Sequence, residues 1–142
     1  MNMTLADKGP HQPPPRLTPR LEKVSQFVQA LPAVISATHW SFADASRVDG
    51  ADFYVGDQEL GHIHLGGEVH IPFPATLRTA LIDAGLAHRF PWGNSFVEMC
   101  ITTPTDAARA QWLFQLNYDR LQGTPVRALV ERLHAHVARV AN

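Results

Sequence analysis

Three short segments in the middle of the chain alternate between apolar and polar residues and are separated by glycine-containing turns. They are ADFYV (51–55), ELGHIHL (59–65) and EVHIPF (68–73), and the turns contain Gly56-Asp57 and Gly66-Gly67. Strand side chains alternate between the two faces of a sheet, and turns of this composition are typical of β-hairpins. The centre of the chain is therefore predicted to be an antiparallel meander of three strands.

Elements on either side of the meander complete the predicted fold. SFVEMCIT (95–102) is a fourth alternating segment, the region around VISATHW (34–40) is a candidate fifth strand, and a short helix is predicted from Pro74 to Gly85. Threonine-proline pairs favour the start of a helix, and they predict three longer helices that begin at 18–19, 103–104 and 124–125. This order predicts an α+β fold, in which an antiparallel sheet of four to five strands is packed on one face by the N-terminal and C-terminal helices.

The length and the distribution of proline predict how the chain is divided. The sequence has 142 residues, which is enough for one domain with a single core. Residues 1–16 contain four of the 11 prolines and few bulky apolar side chains. Such a segment buries too little surface to offset its ordering entropy. We therefore predict a flexible proline-rich tail over 1–16 and a single α+β domain over 17–142.

Composition and charge narrow the class of protein. The formal net charge is -1 and the pI is about 6.7, which argues against nucleic acid or an anionic membrane as a partner. Cys100 is the single cysteine, so neither an intrachain disulfide nor a thiolate metal cage is expected. The sequence has no signal-peptide pattern and no apolar run of membrane-spanning length. The expectation is a cytoplasmic protein that is a monomer or a homodimer and binds a small molecule or another protein.

Three of the eight histidines fall within nine positions of the predicted meander: His62, His64 and His70. Alternation places His62 and His64 on one side of their strand and Ile63 on the other. On the next strand, His70 opposes Ile71. The relative register of these two strands decides whether the three imidazoles share a face.

The loop between the two strands sets that register. A two-residue loop would mix aliphatic and imidazole groups on both faces, whereas a three-residue loop of Gly66, Gly67 and Glu68 gives one apolar face and one histidine face. Burial favours the second arrangement, and glycine suits the left-handed position that such a loop requires. We therefore predict the three-residue loop, with cross-strand pairs Leu65–Val69, Ile63–Ile71 and His64–His70.

Three neighbouring imidazoles allow more than one chemistry. Neutral imidazole is a good ligand for Zn, Ni, Fe or Cu, and one histidine of such a set can serve instead as a general base. The third interpretation is that the histidines form an ordinary solvated sheet face. Glu59 is a further candidate ligand, but strict alternation places it on the opposite face. A β-bulge near Gly61 would turn it towards His62, and this is the favoured interpretation over a buried carboxylate on the other side.

Three residues outside this set are secondary candidates. Glu68 stands at the start of the strand that carries His70, and it could complete a ligand set. His88 follows the short helix in a loop that could approach the sheet. Trp92 lies in the PWGN loop, where an exposed indole beside a histidine face is typical of a small-molecule site.

Part of the sequence matches the metal-binding motifs of cupins. His62, His64 and Glu68 follow Gly56 at the spacing of the first cupin motif, but Phe96 stands where the second motif has its histidine. The predicted helices also leave no room for a jelly-roll barrel. The match is therefore interpreted as coincidental, and only the cupin-like site chemistry is kept as an alternative.

A longer resemblance covers residues from about 51 to 121. This region resembles the small bacterial and fungal proteins that are classed as luciferase-domain proteins, through the segments GDQELGHIHL, VHIPFP, LIDAGLAH and FVEMCITTPTDAARAQWLFQLNYDRL. The resemblance implies a compact α+β domain but no particular substrate. The residues that it implies to be important are Glu59, His62, His64, His70 and His88.

Three functional hypotheses remain open from the sequence. The first is a non-catalytic domain of the luciferase-domain type that binds a small molecule or a partner through the histidine face and the Trp92 loop. The second is a metal-dependent enzyme with ligands His62, His64 and His70, completed by Glu59 or Glu68. The third is a metal-free hydrolase or isomerase that uses one histidine as a base, although no nucleophile with motif context supports it.

Overall fold

The architecture is an antiparallel sheet with helices packed against one of its faces. A computed structural model describes residues 12–141. Within this range the elements, in chain order, are α1 (Pro19–Gln29), β1 (Val34–Trp40), β2 (Val48–Val55), β3 (Gln58–His64), β4 (Glu68–Pro72), α2 (Ala75–Asp83), β5 (His88–Arg89), β6 (Phe96–Cys100), α3 (Pro104–Leu121) and α4 (Val126–Val140). The strands form one sheet in the order β1-β2-β3-β4-β6-β5, and all paired strands are antiparallel.

The predicted α+β class is confirmed, and the strand count is slightly higher than predicted. The candidate fifth strand is β1, and it forms one edge of the sheet. The sixth, β5, has only two residues and forms the other edge. A two-residue strand is too short to show an alternating pattern, so the sequence did not predict it.

Helix starts follow the capping chemistry of the sequence. Thr103 and Asp106 form a complete capping box at the start of α3, in which each side chain binds the other residue's backbone N–H. Thr18 occupies the N-cap position of α1 without a side-chain hydrogen bond, and Pro19 is the first residue of the helix. The start of α4 lies one residue later than predicted, because Pro125 is extended (φ -61°, ψ 144°) and is itself the N-cap.

The apolar core lies between the sheet and the helices. Phe53, Ile63, Val69 and Val97, from four different strands, are fully or almost fully buried on the side where α1 and α3 pack. The ring of Phe114 on α3 meets the ring of Phe53 edge-on, with the centroids 5.6 Å apart. Because side chains alternate along a strand, the residues between these buried ones lie on the other face of the sheet.

The β3–β4 hairpin has a three-residue loop, but the predicted pairing is wrong. The loop consists of residues 65–67, and the observed pairs are His62–His70 and Ile63–Val69. Closing the loop at His64 allows Gly67 to take a positive φ of 100° and to donate its N–H to the His64 carbonyl at 3.0 Å. The register is shifted by two residues from the prediction, and a shift of two leaves every side chain on its predicted face.

The N-terminal part of the described chain runs beside strand β1. The backbone N–H of Thr38 donates to the Gln12 carbonyl at 2.8 Å, and the Thr38 hydroxyl donates to the Pro13 carbonyl at 2.5 Å. Of the predicted tail, residues 1–11 lie outside the described residues. Gln12 and Pro13 therefore occupy hydrogen-bonding positions at Thr38 on the edge of the sheet.

Candidate functional site

Four histidines gather on the sheet face opposite the helices. His62 and His64 lie on β3, His70 lies on β4 directly opposite His62, and His39 lies on β1. The three histidines that the sequence singled out are brought together. His39 also belongs to this cluster, although the sequence pattern did not predict its position.

His62, His64 and His70 form a tripod. Their ring centroids are 5.0, 5.0 and 4.9 Å apart, and their ring planes make angles of 78°, 77° and 76° with one another. Nδ1 of His70 lies 3.0 Å from Nε2 of His62 and 3.1 Å from Nε2 of His64. Nδ1 of His70 is therefore the nitrogen that lies close to both of the other rings.

Each tripod histidine is held from outside by its own carboxylate. Nδ1 of His62 lies 2.6 Å from Glu59 Oε2, and Nδ1 of His64 lies 2.8 Å from Asp49 Oδ2. Nε2 of His70 lies 2.7 Å from Glu98 Oε2. A carboxylate only accepts hydrogen bonds, so it places the N–H of each neutral ring on the outward nitrogen. The inward nitrogens, which are Nε2 of His62, Nε2 of His64 and Nδ1 of His70, then carry the lone pairs.

A β-bulge turns Glu59 towards His62, as the sequence predicted. Phe53 pairs with Gly61 and Tyr54 pairs with Glu59, so Leu60 is an extra residue on β3. Gly61 has φ 154°, and a Cβ there would lie 2.7 Å from Phe114 Cε1. The bulge interrupts the alternation, and Glu59 consequently shares the face of His62.

A second bulge delivers Asp49 to His64. His39 pairs with Gly50 and Trp40 pairs with Val48, so Asp49 is the extra residue on β2. The following Gly50 also has φ 154°, and a Cβ there would lie 1.9 Å from the Ile63 carbonyl oxygen. Both bulges thus combine a carboxylate with a glycine that has no room for a side chain.

His39 has a carboxylate partner but a different orientation. Its Nδ1 lies 2.8 Å from Oδ1 of the fully buried Asp52, and the same oxygen is 4.0 Å from Nδ1 of His62. The His39 ring stacks on His62 with the centroids 4.3 Å apart and the planes inclined by 10°. One ring nitrogen from each of His39, His62 and His64 lies within 4.8 Å of the others, and Asp52, Glu59 and His62 form a second such group.

Burial differs across the cluster. The side chains of His70 and His62 are 5% and 10% exposed, whereas those of His39 and His64 are 15% and 20% exposed. Burial lowers the pKa of His62 well below its ordinary value of 6.5, and the neighbouring His39 lowers it further. Burial also lowers the pKa of His70, against the opposing effect of its hydrogen bond to Glu98. Both effects favour the neutral imidazole, which is the form that binds metals.

Aromatic rings cover the most buried side of the cluster. The Phe90 ring meets the His70 ring edge-on with the centroids 4.8 Å apart, and the Phe96 ring lies 5.6 Å from that of His62. Trp92 contacts Phe90 with the centroids 5.7 Å apart and is 80% exposed. The Trp92 loop therefore borders the cluster through Phe90.

The other secondary candidates lie at the margin. His88 is exposed on β5 and pairs with Glu98, and Glu68 is half-buried on β4 opposite Cys100. The two close groups of ligand atoms found within residues 12–141 include neither His88 nor Glu68, and they do not include His70 either.

The sequence missed His39 and three of the carboxylates. Asp52 and Glu98 each alternate with buried apolar neighbours on a strand, and this is a signal that a charged group occupies the histidine face. Gly50 within a strand pattern is a signal for the bulge that carries Asp49. His39 had no local signal, because its place beside His62 is set by strand pairing.

The fold and the site define a class: a compact α+β domain that carries a carboxylate-supported histidine cluster on the free face of its sheet. Residues 57–117 match the family model of the Luciferase domain. This match confirms the predicted resemblance to luciferase-domain proteins over that part of the chain. It covers all three tripod histidines, Glu59 and Glu98, whereas His39, Asp49 and Asp52 lie before it.

Two further comparisons, with curated proteins and with solved structures, found no match. Among the helices of residues 12–141, none has the length and apolar character required to cross a membrane.

Proposed function

We propose that this chain is a metal-binding domain of the luciferase-domain type, in which His62, His64 and His70 hold a divalent transition-metal ion. The observation that carries the proposal is the opposed roles of the two nitrogens in each ring. The outward nitrogen is held by a carboxylate. The inward nitrogens of His62 and His64 lie 3.0 and 3.1 Å from the inward nitrogen of His70.

The tripod is electrostatically incomplete without a cation. When each neutral ring carries its N–H on the nitrogen that faces its carboxylate, the lone pair on Nδ1 of His70 faces those on Nε2 of His62 and His64 at 3.0 and 3.1 Å and repels both. A metal ion turns this repulsion into three favourable bonds. Hydrogen bonding of the outer ring nitrogen to a carboxylate is the usual support of a metal-bound histidine, since it fixes the tautomer and raises the basicity of the ligand.

The spacing and the ligand type indicate which ions fit. Nitrogen ligands of tetrahedral zinc, at about 2.0–2.1 Å from the metal, lie about 3.3 Å from one another. Two of the three nitrogen–nitrogen separations in the tripod, those from His70 Nδ1 to His62 Nε2 and to His64 Nε2, are 3.0 and 3.1 Å and are close to this value. A set of imidazoles suits Zn, Cu, Ni or Fe and does not suit Mg or Ca, which prefer oxygen ligands.

Three protein ligands leave further coordination positions for another molecule. Sites that are complete with four protein ligands are typically structural, whereas three-ligand sites are typical of catalysis and exchangeable binding. The exposed Trp92, which reaches the site through Phe90, favours a small organic molecule as the binding partner. We infer that the domain binds such a molecule at the metal, and that any reaction would proceed there.

Metal analysis of the purified protein tests the proposal. The protein is produced without an affinity tag, and bound Zn, Ni, Fe and Cu are measured by mass spectrometry for the wild type and for His62→Ala/His64→Ala. The control is His88→Ala/His134→Ala, since both of these residues are exposed. Thermal unfolding shows whether each variant is folded.

The expected result is about one ion per chain in the wild type and in the control, and none in the folded tripod variant. A wild-type protein that is folded and remains metal-free after incubation with each of the four ions would overturn the proposal.

A further inference from the structure

His39 differs from the tripod histidines in the direction of its ring plane. The ring plane of His39 is nearly parallel to that of His62, with an angle of 10° between them. The ring planes of the tripod histidines are inclined to one another by 76° to 78°. The in-plane lone pairs of two parallel stacked rings run side by side and do not meet. An ion in the plane of His62 therefore lies outside the plane of His39, so His39 is poorly oriented to be a fourth ligand.

The buried carboxylate of Asp52 determines which ring nitrogen of His39 is a hydrogen-bond acceptor. Because Asp52 Oδ1 accepts from Nδ1 of His39 at 2.8 Å, the N–H of the neutral ring is at Nδ1 and the lone pair is at Nε2. Asp52 is fully buried and lies on the neighbouring strand, so this tautomer is fixed by the sheet. His39 thus presents a hydrogen-bond acceptor beside the tripod.

Solvent access places this acceptor on the open side of the cluster. Phe90 and Phe96 lie against His70 and His62, and the more exposed side chains are those of His39 and His64. His39 and His64 are therefore the cluster residues that solvent reaches most readily. One ring nitrogen of His39 lies within 4.8 Å of one nitrogen of each of His62 and His64, so the His39 ring borders the tripod.

We propose that His39 is a positioning residue that selects protic ligands: its Nε2 accepts a hydrogen bond from an O–H or N–H group of a molecule coordinated at the tripod. This inference rests on the proposed function. It goes beyond that function because it names the chemical class of the ligand, a metal-binding molecule with a hydrogen-bond donor next to the coordinating atom. Ligands that lack such a donor gain nothing from His39.

Two matched probes test the inference. Imidazole and 1-methylimidazole coordinate a metal through the same kind of nitrogen, but only imidazole retains an N–H donor. Each is titrated into the cobalt-loaded protein, and binding is followed by the visible spectrum of Co²⁺. The wild type is compared with His39→Phe, which keeps an aromatic ring in the stack but removes the acceptor.

The expected result is a preference of about threefold to tenfold for imidazole in the wild type, the range that one hydrogen bond contributes. The preference should fall to about one in His39→Phe, with cobalt stoichiometry unchanged. Asp52→Asn is the second variant, because an amide can donate to Nδ1 and move the His39 N–H to Nε2. It should also abolish the preference, and circular dichroism verifies that both variants are folded.

Three outcomes would overturn the inference, and they are distinguishable. Equal imidazole preference in wild type and His39→Phe shows that His39 does not contact the ligand. Loss of cobalt from folded His39→Phe, or a changed ligand-free cobalt spectrum, shows that His39 is itself a metal ligand. Absence of cobalt binding in the wild type removes the proposed function as well.

Discussion

His62 and His70 are directly paired across strands β3 and β4, and Nε2 of the first lies 3.0 Å from Nδ1 of the second. Their separation is set by the backbone ladder of the sheet, since all three tripod histidines lie within strands. A site built on paired strands holds its groups more precisely than one built on loops. The residues around the tripod maintain this geometry.

The carboxylate behind His62 should control metal affinity. Glu59→Gln keeps the size of the side chain but removes the charged acceptor that fixes the His62 tautomer. We expect the metal dissociation constant to rise by about 10-fold to 100-fold, measured by competition with a chelator of known affinity. Glu68→Gln is the control, because Glu68 is half-buried at the start of β4, opposite Cys100 on the same sheet. Equal effects of the two substitutions would contradict a specific role for Glu59.

The bulge on β3 should not tolerate a side chain at Gly61. A Cβ there would lie 2.7 Å from Phe114 Cε1 and 2.9 Å from the His70 carbonyl oxygen, and φ is 154°. We expect Gly61→Ala to lower the free energy of unfolding by about 2–4 kcal/mol, as measured with urea. In Gly93→Ala the nearest atoms are ordinary contacts at 3.8 Å in Phe90, and a change within about 0.5 kcal/mol is expected. A stable Gly61→Ala would show that the bulge can relax.

Asn117 on α3 should stabilise the same bulge from the helix side. Its Nδ2 donates to the Leu60 carbonyl at 3.0 Å, and the side chain is fully buried. Asn117→Ala leaves a buried carbonyl without this donor and should cost about 1–3 kcal/mol of unfolding free energy. Gln115→Ala, on the half-buried side of the helix, is the control, and its expected change is within about 0.5 kcal/mol. Similar losses in both variants would assign the effect to the helix and not to the bulge.

Replacing Ala33 with glycine should stabilise the protein. It has φ 67°, in the left-handed region, and it is exposed, so the substitution removes no packing. We expect Ala33→Gly to raise the free energy of unfolding by about 1 kcal/mol, seen as a higher midpoint of urea unfolding. The same change at exposed Ala30, which is helical at φ -78°, should lower it by about 0.5–1 kcal/mol. A destabilised Ala33→Gly would contradict the backbone strain.

His136 should titrate below the ordinary histidine pKa of 6.5. Burial against Trp112, on which it stacks at 4.2 Å, lowers its pKa, and the nearby Arg139 lowers it further. Its protonation is followed by NMR of the ring C–H signals. Arg139→Gln should raise the pKa but not restore it fully, because the effect of burial remains.

The lowered pKa of His136 also makes the stability of the protein depend on pH. As the pH falls through 6.5, the unfolded chain binds a proton at this site before the folded protein does, so the contribution of His136 to stability decreases. A pKa at or above 6.5 in the wild type would contradict the prediction.

Local patterns were sufficient for most of the fold. Alternation defined the central strands, and capping chemistry at Thr103 and Asp106 defined the start of α3. The β3–β4 register was predicted wrongly, because burial alone does not distinguish arrangements that differ by two residues. In the observed register Gly67 has a positive φ, and its carbonyl accepts a hydrogen bond from the Ile101 N–H at 2.9 Å. These two features fix the loop.

The site was predictable only where its signal was local. The His62-x-His64 pattern and the glycine within β3 indicated a shared face and a bulge that re-aims Glu59. Asp52 and Glu98 come from strands on either side of the hairpin, so their approach depends on pairing between distant segments. His39 required the correct placement of β1, and no short pattern in its neighbourhood specifies that.

The contact of Gln12 and Pro13 with Thr38 has a consequence for assembly. The amide of Thr38 points outward from a border strand and would otherwise be free to recruit the strand of a second molecule. The chain's own N-terminal stretch already satisfies it, next to His39. Self-association by adding a strand at this position would first have to displace that stretch, and the same displacement would uncover the border beside the histidine cluster.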